Sequence, residues 1–315
     1  DWGVNSIHGD QVSCGTNCAT NYPLPVAIGA TLNLTLVYEL ANMMGVELRA
    51  LRLEGACEKH RRLQVSDVHD APSAPKGDAC IGLDTWAPNL NLNRDPRWGR
   101  NWEVATECPY LGGRIGTAYA KGFQTGKGED GGKFLLGVIT LKHWAGYTVE
   151  NDRDGYNSVI TPFDLQDSYL PAFRAAVREG KAAGVMCSYN ALNNVPTCAD
   201  TRLTEILRGT WQFDGYITSD SGAVGDISGR HRYKNMTREQ GTAAALQAGC
   251  DINSGDQYAM YVQKAVEDGL LNESTVDDAL VHAFKTRIRL VRAGLRHFID
   301  TVGILSGSTY AVGSV

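Results

Sequence analysis

Asp220 closes the run Tyr216-Ile-Thr-Ser219 and opens Ser221-Gly-Ala-Val224, so one carboxylate stands between a strand-like stretch and a turn of small residues. The aromatic and β-branched residues favour a strand, and the small residues let a ligand approach the carboxylate closely. A barrel strand presents a nucleophile in this way; the alternative is an Asp that caps the following helix. Upstream lie, in order, Asn93-Arg-Asp-Pro-Arg-Trp-Gly-Arg100-Asn-Trp-Glu103, Lys142-His143-Trp-Ala-Gly-Tyr147 and Val185-Met-Cys-Ser-Tyr189-Asn190. Arg100 offers a forked donor, and Lys142 a cation that would favour ionised carboxylates near it. The structural alternatives are a surface lysine for Lys142, a satisfied structural histidine for His143 and core packing for Tyr189.

The elements that must position these groups alternate along the chain. Strand patterns at Val4–His8, Pro25–Gly29, Trp86–Leu92, Leu136–Lys142, Gly184–Ser188, Tyr216–Ser219 and Ala248–Ile252 are separated by helix-like stretches. The helices are expected at Leu34–Leu53, Gly113–Phe123, Leu165–Glu179 and Arg238–Ala248, with a further amphipathic one at Val276–Arg289. Alternating strands and helices imply an α/β fold with a parallel sheet. Lys142, His143, Tyr189 and Asp220 all fall at or just past strand ends, the active face of a (β/α)8 TIM-type barrel. Seven strands are identified rather than eight, so the first part of the barrel is expected to be incomplete or irregular. Residues 1–300 are read as the barrel domain, with an irregular loop insertion at 55–80 and an atypical Gly/Ser-rich tail at 301–315.

At 315 residues, 43% hydrophobic and 21% charged, the chain can bury a large core. A net charge of −5 argues against a nucleic-acid partner. No apolar run approaches the roughly 18 residues of a membrane span. Asp1-Trp2-Gly3 enters a strand-like segment directly, so the natural beginning is expected to be missing or removed. Of the eight cysteines, Cys14 and Cys18 form a zinc half-site, but no second Cys or His pair follows at a suitable spacing. No metal and no cofactor are expected.

The four motifs together resemble glycoside hydrolase family 3, from about Trp2 to about Arg289. The resemblance implies that Asp220 is the catalytic nucleophile, and that Arg100, Lys142, His143 and Tyr189 line the pocket that grips the terminal sugar. Arg153 matches a recurrent arginine of one branch, with salt-bridging to its acidic neighbours as the alternative. Asn5 stands where relatives carry Asp or Glu; its amide oxygen still accepts, without charge assistance. Glu107-Cys108-Pro109 departs from a usual Glu-Asp-Pro run. Relatives bracket the Ser188-Tyr189-Asn190 turn with a disulfide, which implies a Cys187–Cys198 pair. With three acceptor triplets at Asn33, Asn235 and Asn272, this implies a secreted glycoprotein.

The mechanism implied is double displacement, which needs a nucleophile and an acid/base about 5 Å apart. Two-domain relatives supply the acid/base as a glutamate from a second, C-terminal domain. Single-domain relatives acting on N-acetylglucosaminides use a histidine in a loop that here reads Tyr147-Thr-Val-Glu-Asn-Asp-Arg-Asp-Gly155, without one. The chain is therefore expected to be a barrel from a longer enzyme whose C-terminal domain supplies that group. Ser219-Asp-Ser-Gly-Ala-Val224 and Pro196-Thr-Cys-Ala-Asp200 resemble the β-xylosidase branch more than the β-glucosidase branch. The expected substrates are β-D-xylosides, then β-D-glucosides and α-L-arabinofuranosides, within oligosaccharides or simple glycosides. The competing reading is a truncated or non-catalytic carbohydrate-binding barrel.

Overall fold

The computed structural model of the chain describes residues 20–53, 82–125 and 135–290. In chain order its helices are α1 (Pro25–Ala30), α2 (Leu34–Leu53), α3 (Pro109–Thr125), α4 (Pro162–Asp164), α5 (Pro171–Arg178), α6 (Ala223–Ser228), α7 (Arg238–Ala248), α8 (Gln257–Glu267) and α9 (Glu273–Leu290). The strands are β1 (Asp84–Thr85), β2 (Val138–Trp144), β3 (Asn157–Ser158), β4 (Gly184–Cys187), β5 (Ala191–Leu192), β6 (Val195–Pro196) and β7 (Tyr216–Ser219).

β1, β2, β4 and β7 lie side by side in that order, every pair parallel. A bridge from Thr218 to Ile252 continues the series by one position. β4 and β7 are buried throughout, and in β2 only Lys142 is partly exposed, as strands covered on both faces must be. This is the α/β fold of the (β/α)8 barrel type, and it carries its active face at the carboxyl ends of these strands. α2 and α3 pack closely through reciprocal glycines. A Cβ on Gly45 would lie 2.2 Å from Phe123 O, and one on Gly122 would lie 2.3 Å from Tyr38 O. A small second sheet, β3-β5-β6, is formed by the segment after β4 pairing with β3.

α2, α7 and β7 have the bounds expected from sequence, and the other long helices differ at their ends. The strand expected at Pro25–Gly29 is instead helix α1: Pro25 fits a first helical turn, where no N–H is needed. The segment Trp86–Leu92 runs beside β2 without regular pairing, with Asn89 bridging Lys142, because Pro88 lacks an N–H to donate. Of Ala248–Ile252, only Ile252 pairs. The helix expected over Leu165–Glu179 is divided: a π-type turn at Leu165–Tyr169 precedes α5, where Pro171 interrupts the hydrogen-bond ladder. Val4–His8, the 55–80 insertion, the 301–315 tail and the Cys14/Cys18 pair lie outside the described residues. No described helix is long and apolar enough to cross a membrane.

α7 begins with a complete capping box. Thr237 Oγ1 accepts from Gln240 N–H at 3.3 Å, and Gln240 Oε1 accepts from Thr237 N–H at 3.0 Å. Thr237→Ala removes one half of this exchange and is expected to lower unfolding free energy by about 1 kcal/mol. An unchanged urea midpoint would show that the box contributes nothing.

Candidate active site

Apart from Arg100, which sits in the turn before α3, each predicted side chain in the described residues is delivered by the end of a parallel strand or by the loop beyond it. Lys142 and His143 stand near the carboxyl end of β2. Asp220 is the first residue past β7, and its N–H donates to Cys187 O at 3.0 Å, extending the parallel pairing beyond the strand. Tyr189 lies two residues past β4 in a turn fixed on several sides. Ser188 N–H donates to Trp144 O at 2.8 Å, Asn190 Nδ2 donates to Ala145 O at 3.2 Å, and His231 Nε2 meets Tyr189 O at 2.7 Å. The Cys187–Cys198 disulfide closes the same turn, as the resemblance implied.

The Asp220 carboxylate is the centre of the cluster and is only 6% exposed. Its Oδ1 accepts from Ser221 N–H at 2.8 Å, whereas its Oδ2 is buried with no hydrogen-bond partner. His143 Nε2 lies 3.4 Å from that Oδ2. Burial raises the Asp220 pKa, opposed by Ser221 N–H, Arg100, Tyr189 and Lys142. Burial together with Arg100, Lys142 and Arg153 holds His143 well below the usual imidazole range, so it is neutral. Burial also lowers Lys142, against the attraction of Glu103.

Arg100 and Lys142 are anchored by a carboxylate that sequence reasoning quoted but did not assign. Glu103 accepts from Arg100 Nε at 2.7 Å and from Arg100 NH2 at 2.8 Å; Asn89 Nδ2 lies 3.3 Å away and Lys142 Nζ 3.6 Å away. Burial works against the Glu103 charge, but the two cations outweigh it and set its pKa at about 2. The cue available in sequence was the i,i+3 spacing of Arg100 and Glu103 in one turn.

Arg153 makes the salt bridges given as its alternative reading and also stands at the cluster. It bonds Glu150 at 2.9 Å and approaches Asp154 at 3.6 Å, while its guanidinium lies 4.4 Å over the Tyr189 ring. Glu150 also accepts from Tyr147 OH at 2.6 Å and from Trp98 Nε1 at 3.2 Å, which ties an aromatic wall to the cluster. Asn91, Glu150 and His231 were not singled out from sequence. Asn5 lies outside the described residues. Cys108 is an exposed free cysteine directly before α3. Asn33, Asn235 and Asn272 are exposed, as acceptor sites require.

A buried carboxylate with one unclaimed oxygen, ringed by an arginine, a lysine, a neutral imidazole and a tyrosine, can attack an electrophilic carbon while donors hold neighbouring hydroxyls. The model of the glycosyl hydrolase family 3 N-terminal domain matches residues 60–286. A β-xylosidase/α-L-arabinofuranosidase of Medicago sativa subsp. varia is 33% identical over 302 residues, 92% of this chain and 36% of its own length. A probable exo-1,4-β-xylosidase of Aspergillus flavus is 35% identical over 298 residues, 91% of this chain and 35% of its own. Among solved structures, a family 3 exo-β-xylosidase in complex with a xylobiose aziridine activity-based probe superposes with a TM-score of 0.77 at 32% identity, over 91% of this chain and 35% of that one. The β-glucosidase of Listeria innocua in complex with isofagomine gives a TM-score of 0.70 at 25% identity, over 92% and 36%. The chain thus spans about 36% of the length of the Medicago relative.

Proposed function

Because the chain belongs to glycoside hydrolase family 3, we propose that it carries the nucleophile half of a retaining exo-acting β-glycosidase that removes a terminal sugar, β-D-xylose in preference to β-D-glucose. The observation that carries this reading is the Asp220 Oδ2 atom, a buried carboxylate oxygen without a donor at the mouth of a barrel strand. An oxygen in that state gains most from a partner brought by substrate. Asp220 attacks the anomeric carbon, the leaving group departs, and a covalent glycosyl-enzyme forms, which water then hydrolyses with retention. Lys142 and Arg100 donate to sugar hydroxyls, and Tyr189 flanks the ring, backed by the buried Tyr147. The acid/base that protonates the leaving oxygen is assigned to a group outside the barrel domain.

Xylose preference is supported by Ser221 directly after the nucleophile, where the β-glucosidase branch often carries Trp. It is also supported by the xylosidase names of the relatives at 33–35% identity. Secretion is proposed on the disulfide and the three exposed acceptor asparagines. The test is initial hydrolysis of 4-nitrophenyl β-D-xyloside against the β-D-glucoside at matched concentrations. A higher kcat/KM for the xyloside is expected. Faster glucoside release would overturn the preference, and sugar binding without release from either would make the chain a binding barrel.

A further inference from the structure

Asn91 is 5% exposed and makes two bonds to the backbone of His143. Its Nδ2 donates to His143 O at 2.8 Å, and its Oδ1 accepts from His143 N–H at 2.9 Å. A carbonyl can only accept and a backbone N–H can only donate, so these bonds settle which end of the amide is oxygen. The same Oδ1 lies 3.0 Å from His143 Nδ1. An amide oxygen cannot donate, so the nitrogen facing it must carry a proton.

We infer that Asn91 is a positioning residue that keeps the proton of neutral His143 on Nδ1, so that Nε2 turns a bare lone pair toward Asp220 Oδ2. Two acceptors then face each other across 3.4 Å, with no donor in hydrogen-bond geometry on that oxygen, although the Tyr189 hydroxyl also acts on the carboxylate. The mismatch is relieved by hydroxyl donors that a sugar brings. Nε2 is thereby a hydroxyl acceptor, complementary to the donors Arg100 and Lys142. The placement of the proton stands on geometry alone; the role of the sugar rests on the proposed glycosidase reading.

The charged and titratable groups around the pair come from four segments. Lys142 comes from β2, Arg100 and Glu103 from the turn before α3, Tyr147, Glu150 and Arg153 from the loop after β2, and Tyr189 from the turn after β4. The nearby cations disfavour an imidazolium, consistent with a single proton on the ring.

A long-range 1H–15N correlation spectrum of the histidine-labelled chain reads the tautomer directly, with His143→Gln assigning the signal among the seven histidines. The expected pattern is a protonated Nδ1 and an unprotonated Nε2 between pH 6 and 8. A protonated Nε2 in that range would overturn the inference. The second arm is covalent labelling of Asp220 by an activated 2-fluoroxyloside, which needs an ionised nucleophile. Asn91→Asp should create an imidazolium and move the acid limb of labelling down by about one pH unit. An imidazolium with an unmoved limb would sever His143 from Asp220. No labelling of the wild-type chain would count against the glycosidase reading only, since the spectrum still decides the proton, as it does if Asn91→Asp fails to fold.

Discussion

Asp220→Ala is expected to reduce release of 4-nitrophenol from the β-xyloside by at least about 10⁴-fold, the scale on which enzymes lose rate when a nucleophile is removed. The fold should survive, because the Asp220 backbone bonds to Cys187 O and from Ala223 N–H are kept by alanine, and the side chain gives up chiefly its bond from Ser221 N–H. Asp220→Asn sharpens the test, since it keeps an acceptor for Ser221 while removing the charge. Burial raises the folded-state pKa of Asp220 above its ordinary 3.8. The folded chain therefore binds this proton more tightly than the unfolded chain does. Stability from this group is present at low pH and lost as pH rises from about 3.8 through the folded pKa. Asp220→Asn should consequently be inactive yet more stable than wild type at pH 7, with the gap closing toward pH 3. Equal stability at pH 7 would mean that the buried carboxylate costs the fold nothing. A rate loss below tenfold would remove Asp220 from the nucleophile role.

Glu103→Gln should be the most damaging substitution to stability. The side chains of Arg100 and Glu103 are 15% and 13% exposed, and Lys142 shares the same carboxylate. Neutralising Glu103 leaves two cations facing one another with little water, at a cost of about 3 kcal/mol. The opposite linkage applies here: Glu103 titrates at about 2 when folded against an ordinary 4.5. Its contribution is present above about 4.5 and is lost as pH falls from there toward 2. Urea titrations at pH 7 and pH 3 should give a large difference between wild type and Glu103→Gln at the first and a smaller one at the second. KM should rise more than kcat falls if Arg100 and Lys142 serve mainly to hold sugar. Full stability of Glu103→Gln at pH 7 would show that the two cations do not depend on it.

Where local chemistry and packing agree, the sequence is legible. Thr237 and Gln240 announce the start of α7, and Tyr216–Ser219 reads as a buried strand that ends on a carboxylate. Where only packing decides, it is not. Pro25-Val-Ala-Ile-Gly29 looks like a strand because Val26 and Ile28 are β-branched, yet it forms the first turns beside α2. Asp220, Lys142, His143, Arg100, Tyr189 and Arg153 come together as their motifs predict, whereas the residues that orient them were harder to see. Glu103, Asn91 and His231 act through contacts with residues 14 to 52 positions away or through a local turn, and composition carries no trace of such pairings. One signal did exist: Asn89, Asn91 and Asn93 alternate with Leu90 and Leu92, the period-2 pattern of a segment with one polar face. Asn89 reaches Glu103, Asn91 reaches His143 and Asn93 reaches Val104 O, so that face is the scaffold of the site.

That alternation has an evolutionary consequence. The segment is locked to β2 by Leu90 N–H to Lys142 O at 2.7 Å and Lys142 N–H to Pro88 O at 3.2 Å. A one-residue slip in such a pairing turns every side chain to the opposite face. Leucine would then meet the imidazole, and asparagine would enter the apolar layer. Between Pro88 and Leu92 the lineage can accept substitutions of similar size but not the gain or loss of a codon, while insertions are free to accumulate in loops that no strand has to count.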